Sequence, residues 1–407
     1  MLSKKFILIL VVCAAIIVSV AVAIFISQQK SVPLSEAFSN CESYPKRSDA
    51  ILDCWYQVLH EYHNAGGVAA AFVAFDYLYE NKVYFAETGC HLHAHRIGDF
   101  AFFDSFLIHH DLDKLSFPEG SQVCGYGFYH GFIEHLIQDN PSPQYVREVC
   151  DYMDKRLSGM MPLIRITCFH GSGHGFALAE VDEGDITIWG DYEKIINVPL
   201  QLCGELQAEE SEISECYEGV FNVLVSWMET GEYGLSYNYQ DPFWICVNQH
   251  TEYKWPCYYE VGQKLDFASQ YSVKNAVAIV SQISDEGYDQ RLLQLAVGNF
   301  LQSRNSATAH IEYLSDCFEI EDRYLPSCVQ GLVAGVVEHG NPGDEQKKAV
   351  EICSHELVGG YIQRGCYEEV FGRLTKLYPK TRVTALCNQS LSESFTESCI
   401  EKGYISL

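Results

Sequence analysis

Three short runs hold most of the side chains that could do chemistry. They are Cys90-His-Leu-His-Ala-His95, Cys124-Gly-Tyr-Gly-Phe-Tyr-His130-Gly-Phe-Ile-Glu134-His135 and Cys168-Phe-His170-Gly-Ser-Gly-His174-Gly-Phe176. Seven of the chain's 15 histidines fall in them. The second and third runs repeat one pattern: Cys124 and Cys168 are each followed by glycine three residues on, then by His-Gly-Phe. Imidazole and carboxylate are the donors of a metal site. The pairs His130/Glu134 and His170/His174 stand four residues apart, a spacing that lets both side chains of a helix reach one ion.

Each helix can be counted from its cysteine at about 100° per residue. His60, His130 and His174 then fall at about 240°, His170 at about 200° and Glu134 at about 280°. Five ligand-capable side chains from three helices share one face. His91/His95 is another i,i+4 pair, but its phase of about 100–140° does not match, while His93 falls at about 300°. Either the helix carrying Cys90 is rotated in its repeat, or His93 faces the site. The candidate ligands are therefore His60, His93, His95, His130, Glu134, His170 and His174. Glu134 is also the candidate catalytic base, and Asp99 is placed to orient His95 from behind. Such donors suit a transition-metal ion, zinc, iron, manganese or copper, without separating them. With an open position the ion would act as a Lewis acid or carry a hydroxide. Non-covalent heme is a lesser alternative; no Cys-x-x-Cys-His exists for covalent attachment. The competing account makes these core histidines, hydrogen-bonded to buried carbonyls.

The elements that must position these residues announce themselves by repetition. A cysteine, often an aromatic, then Gly or Glu and an apolar run recur at Cys54, Cys168, Cys216, Cys257, Cys328, Cys366 and Cys399. With Cys90, Cys124 and Leu295-Ala-Val-Gly298, a copy that lost its cysteine, the spacing is 33 to 48 residues, the period of stacked helical hairpins. The expected fold is all-α: a disulfide-stapled α-hairpin repeat array, either an open solenoid or a closed α/α toroid. Cysteines couple at short range as Cys41/Cys54, Cys150/Cys168, Cys203/Cys216, Cys246/Cys257, Cys317/Cys328, Cys353/Cys366 and Cys387/Cys399, leaving Cys90 and Cys124 to pair by elimination. Each bond would tie the end of a first helix to the start of the second, worth roughly 3 kcal/mol for a loop of about 15 residues. Period and disulfides resemble those of cysteine-rich helical repeat proteins, in architecture and not in internal residues. Thr396 is placed to cap the last helix, and Glu338-His339 reads as a helix end. The glycines beside the histidines, Gly125 to Gly175, either bring helices close or leave room above the rings.

Phe6 to Ser27 is almost wholly apolar and uncharged, long enough to span a bilayer at about 20 residues. Lys4 and Lys5 place the N-terminus in the cytoplasm. Residues 1–27 are thus expected to be a cytoplasmic stub and signal-anchor and 28–40 a stalk. The His-bearing repeats occupy 41–200, and 201–407 continues the same array without them. A cleaved signal peptide is the rival; either way the bulk of the chain is exported, to the cell membrane or beyond, where disulfides persist. A net charge of −27 argues against nucleic acid. The expected function is a membrane-anchored, extracytoplasmic metal-dependent enzyme, hydrolytic or oxidative. The alternatives are a scaffold binding a protein or glycan through residues 201–407, or metal storage and delivery.

Overall fold

The computed structural model describes residues 38–45, 49–82, 85, 90–114, 117–118, 121, 124–182, 186–285, 287–303, 308–339, 345–389 and 391–405. Among them the chain is helical throughout and contains no strand. No described helix is long and apolar enough to cross a membrane; the expected anchor, Phe6 to Ser27, lies outside the described residues, as does most of the expected stalk. The chain divides into two compact units, Met1–Val58 and Leu59–Leu407, so no boundary falls near residue 200. In the first unit the Cys41–Cys54 disulfide lies among buried Phe38, Ile51 and Trp55.

The second unit is built from hairpins whose second helices face inward. The helices are α1 (Asp49–Asn81, begun in the first unit), α2 (Cys90–Phe100), α3 (Gly127–Asp139), α4 (Pro143–Leu157), α5 (Ile164–Asp182), α6 (Tyr192–Gly204), α7 (Glu210–Thr230) and α8 (Thr251–Gln263). They continue as α9 (Val273–Val280), α10 (Tyr288–Ser303), α11 (Ala309–Cys317), α12 (Leu325–His339), α13 (Glu345–Cys353), α14 (Gly360–Leu377), α15 (Lys380–Cys387) and α16 (Glu393–Glu401). Consecutive inner helices pack side by side in the order α2, α3, α5, α7, α8, α10, α12, α14. Two bonds join distant parts of the sequence across this order. Tyr126 Oη donates to the Lys376 carbonyl (3.1 Å) and Tyr79 Oη to that of His339 (2.8 Å). All eight inner helices line one cavity of about 790 Å³. These two bonds tie α1 and the turn that leads into α3 to carbonyls of α12 and α14.

Local chemistry explains the element ends. Ser142 caps α4 by accepting from Tyr145 N, and Glu209 and Glu212 form a reciprocal capping box on α7, each satisfying backbone donors that a helix start leaves free. The cap of α16 is Ser392, whose hydroxyl accepts from Phe395 N. Thr396, expected there from sequence, lies inside the helix and bonds back to the Ser392 carbonyl. Seven disulfides join the couples expected from their spacing. The eighth would involve Cys90, whose side chain lies outside the described residues. Cys150 differs from the expected placement: it sits mid-helix in α4, so the Cys150–Cys168 bond staples a helix body.

The glycines bring helices into backbone contact. A Cβ on Gly127 or Gly131 would overlap the carbonyl oxygen of His91 or His95, and one on Gly219 that of His170. Gly173 meets the Cys216 carbonyl in the same way. Only glycine lets backbones approach this closely, and that approach draws the side chains of α2, α3, α5 and α7 into one cluster.

Candidate metal centre

On an inner helix the positions two, six and ten after the cysteine form one i,i+4,i+8 stripe. In α3 and its leading turn these are Tyr126, His130 and Glu134; in α5, His170, His174 and Leu178; in α7, Glu218, Asn222 and Ser226. All nine line the cavity. In α2 the stripe is shifted by one residue and consists of His91, His95 and Asp99. The helix carrying Cys90 is therefore rotated in its repeat. His95 faces the site, and His93 faces away, stacked on Phe85 with ring centroids 3.7 Å apart and Nε2 bonded to the Phe85 carbonyl (3.0 Å).

The cluster centres on Glu134. One carboxylate oxygen, Oε2, lies 3.1 Å from His95 Nε2 and 3.1 Å from His174 Nδ1. The far nitrogen of His95 is 3.4 Å from Asp99 Oδ1, and His135 Nε2 stands 3.4 Å from the same oxygen. Burial disfavours the charged form of His95, but Glu134 and Asp99 outweigh it and raise its pKa to about 10. Burial would raise Glu134, yet the charge of His95 and the bonds from His174 and His95 hold it down at about 2. This part of the site is a carboxylate–imidazole chain.

Next to it lie imidazoles of the opposite character. His130 stacks on His170 (4.8 Å between centroids), with His174 5.6 Å from His130 and 5.1 Å from His170. His91 Nε2 is 3.4 Å from His130 Nδ1, and its other nitrogen donates to the Cys124 carbonyl (2.9 Å). That carbonyl is aimed by a left-handed stretch, φ 60° at Cys124, 61° at Gly125 and 61° at Tyr126; two of the three are not glycine, which marks a held conformation. Burial, then the neighbouring rings, drives His130 and His170 well below the ordinary histidine pKa, and burial with His95 takes His91 to about 3. These rings are neutral and offer lone pairs. His174 joins the two sets. Its Nδ1 meets Glu134, and its buried Nε2 has no hydrogen-bond partner among the described residues.

Among the described residues three groups of side chains could hold a metal ion, each with one donor atom per residue within 4.8 Å of the others. They are His95/Glu134/His174, Asp99/Glu134/His135 and His170/Glu215/Glu218. No family of known proteins, curated relative or solved structure matches this chain. The chemistry of the site therefore rests on its own geometry.

Of the candidate ligands, His95, Glu134 and His174 come together, with His130 and His170 against them. His93 is packed in the core, and His60 lies apart, its Nε2 on Asp104 Oδ2 (2.6 Å) and its ring on Phe100. Several cavity residues escaped a reading confined to histidines. Glu215, Glu218, Glu338, Arg373 and Lys376 line the cavity, so residues 201–407 complete the site and do not merely extend the scaffold. Burial raises Glu215 to about 7, against the pull of Lys376, and raises Glu218 well above the carboxylate range, Glu215 and Glu260 adding to it. Glu338, read from sequence as part of a helix end, pairs with Arg373 across to α14.

Proposed function

We propose that the protein is an exported, membrane-anchored metalloprotein whose ring of helices encloses one reaction chamber. His95, Glu134 and His174 would hold a transition-metal ion, which would displace the proton that His95 now shares with Glu134, with His130 and His170 flanking it. The observation that carries this reading is the convergence of His95 Nε2 and His174 Nδ1 on Glu134 Oε2, each 3.1 Å away, in a buried cluster whose three donor atoms lie within 4.8 Å of one another. Two imidazoles and a carboxylate meeting at one point are the donor set of a transition-metal ion. The ion would polarise a bound water or substrate oxygen; Glu134 and Asp99 hold the rings in place and take up their charge. Placed between two imidazoles, Glu134 acts here as a ligand or orienting group and not as the free base expected from its position on the helix. A chamber of about 790 Å³ is within the range of small-molecule sites and would admit a small substrate for the hydrolytic or oxidative chemistry such an ion supplies. The seven disulfides support an oxidising compartment, and the apolar run Phe6 to Ser27 supports an uncleaved anchor.

A second reading, a glycan or protein partner on the 201–407 side, draws on exposed Trp244, which packs edge-on against Tyr192. Elemental analysis of the full-length protein in mild detergent separates the two. The enzyme reading expects at least one tightly held ion per chain and one fewer in His174→Ala. A folded, reconstituted parent with no ion would overturn it.

A further inference from the structure

The third donor group lies outside the centre described above and has a different composition. His170 comes from α5 and Glu215 and Glu218 from α7, with one donor atom of each inside a 4.8 Å cluster. His170 Nδ1 and Glu215 Oε2 are 3.8 Å apart, too far for a hydrogen bond. Two donors about 2.1 Å from one ion stand about 3.4 Å apart at a tetrahedral angle and about 4.2 Å when opposed, so this separation fits an ion between them. Glu218 is 8% exposed and lines the cavity. Neither it nor Glu215 accepts a hydrogen bond among the described residues. A carboxylate buried to that degree is ordinarily paired or bound to a metal. The backbone places the three side chains together: Gly219 lies against the His170 carbonyl and Gly173 against that of Cys216, locking α5 and α7 at contact distance.

We propose that His170, Glu215 and Glu218 form a second divalent-cation site in the same chamber, next to the first. The rings of His170 and His174, one from each site, are 5.1 Å apart. Two carboxylates and one imidazole make a harder donor set than the two imidazoles and one carboxylate of the first site, and favour manganese or ferrous iron over copper. The inference goes beyond the first centre and does not require it.

The test is manganese binding by the full-length protein, stripped with chelator and reconstituted with Mn²⁺ alone, followed by elemental analysis and electron paramagnetic resonance. Parent, Glu218→Gln, Glu215→Gln and His174→Ala are compared, with circular dichroism confirming the fold. Two ions per chain in the parent and one in each carboxamide variant support the proposal; His174→Ala should then lose the other ion. A carboxamide variant holding as much Mn²⁺ as the parent overturns it. So does a single ion lost only in His174→Ala, an outcome that leaves the first centre standing. No ion in any folded sample overturns both.

Discussion

Glu260 offers a sharp check on the electrostatics of the chamber wall. It is fully buried in α8. Its Oε2 accepts from Asn222 Nδ2 (2.6 Å) and Gln263 Nε2 (3.1 Å), two amides that themselves line the cavity, while Oε1 has no partner among the described residues. Burial raises this carboxyl to about 8, against the opposing bond from Asn222. The folded protein thus keeps a proton that the unfolded chain releases near pH 4.5. Between those values the unfolded state binds fewer protons, so stability falls as pH rises, by up to about 1.4 kcal/mol per pH unit. Glu260→Gln keeps an acceptor for both amides and removes the titration. Urea unfolding of the chelator-treated protein with disulfides intact should find parent and variant within about 1 kcal/mol at pH 5. At pH 8 the variant should be more stable by roughly 2–4 kcal/mol, the linkage discounted for relaxation around the buried group. Titrations outside the field of Glu260 cancel in the difference; those of Glu215 and Glu218, which interact with it, do not. A gap that does not change between pH 5 and 8 would refute a neutral carboxylic acid at this position.

Two further outcomes test the packing. Gly219→Ala should destabilise by about 1–3 kcal/mol, because its methyl would press on the His170 carbonyl and overpacking costs that much. Gly372→Ala, with nothing within 4 Å, should be neutral or stabilising by about 0.5–1 kcal/mol through helix propensity alone; denaturant unfolding gives both signs. His93→Ala should cost about 2–3 kcal/mol by removing a buried ring and its bond to the Phe85 carbonyl, yet leave the metal content per folded chain unchanged. Loss of the ion in that variant would return His93 to the site.

Much of the architecture could be read from the chain because it repeats. The seven cysteine couples gave the hairpins their register, and the register put His130, His174 and Glu134 on one face before any contact was known. What could not be read was which distant helices are tied together. That depends on single long-range bonds, such as Tyr126 to the Lys376 carbonyl, which leave no periodic trace. The phase of α2 was also ambiguous, since His93 and His95 sit two residues apart on nearly opposite faces, and only the packing of Gly127 and Gly131 against the backbone of His91 and His95 selects between them. The acidic residues were missed for a different reason. Glu218 stands two residues after Cys216, as His170 does after Cys168. The same stripe carried through every repeat would have found it, and Glu338 as well.

The ring divides its labour by side-chain type. Helices α2, α3 and α5 bring His91, His130 and His170, which burial keeps neutral, and α7 brings carboxyls that burial raises. Each set is costly in isolation: lone pairs without donors on one wall, acids without partners on the other. Such a wall persists only if the backbone cannot relax around it. Glycine contacts between α2, α3, α5 and α7 fix the helix separation, and the disulfides at Cys150–Cys168 and Cys203–Cys216 fix the outer helices to the two that carry His170 and Glu218. A cation bound between the walls would relieve both costs at once. Reducing these two disulfides should therefore weaken metal retention before it unfolds the ring, a sequence that manganese release and circular dichroism can follow in one titration with reductant. Loss of helicity and of metal at the same reductant concentration would instead make the disulfides general supports of the fold, with no particular bearing on the site.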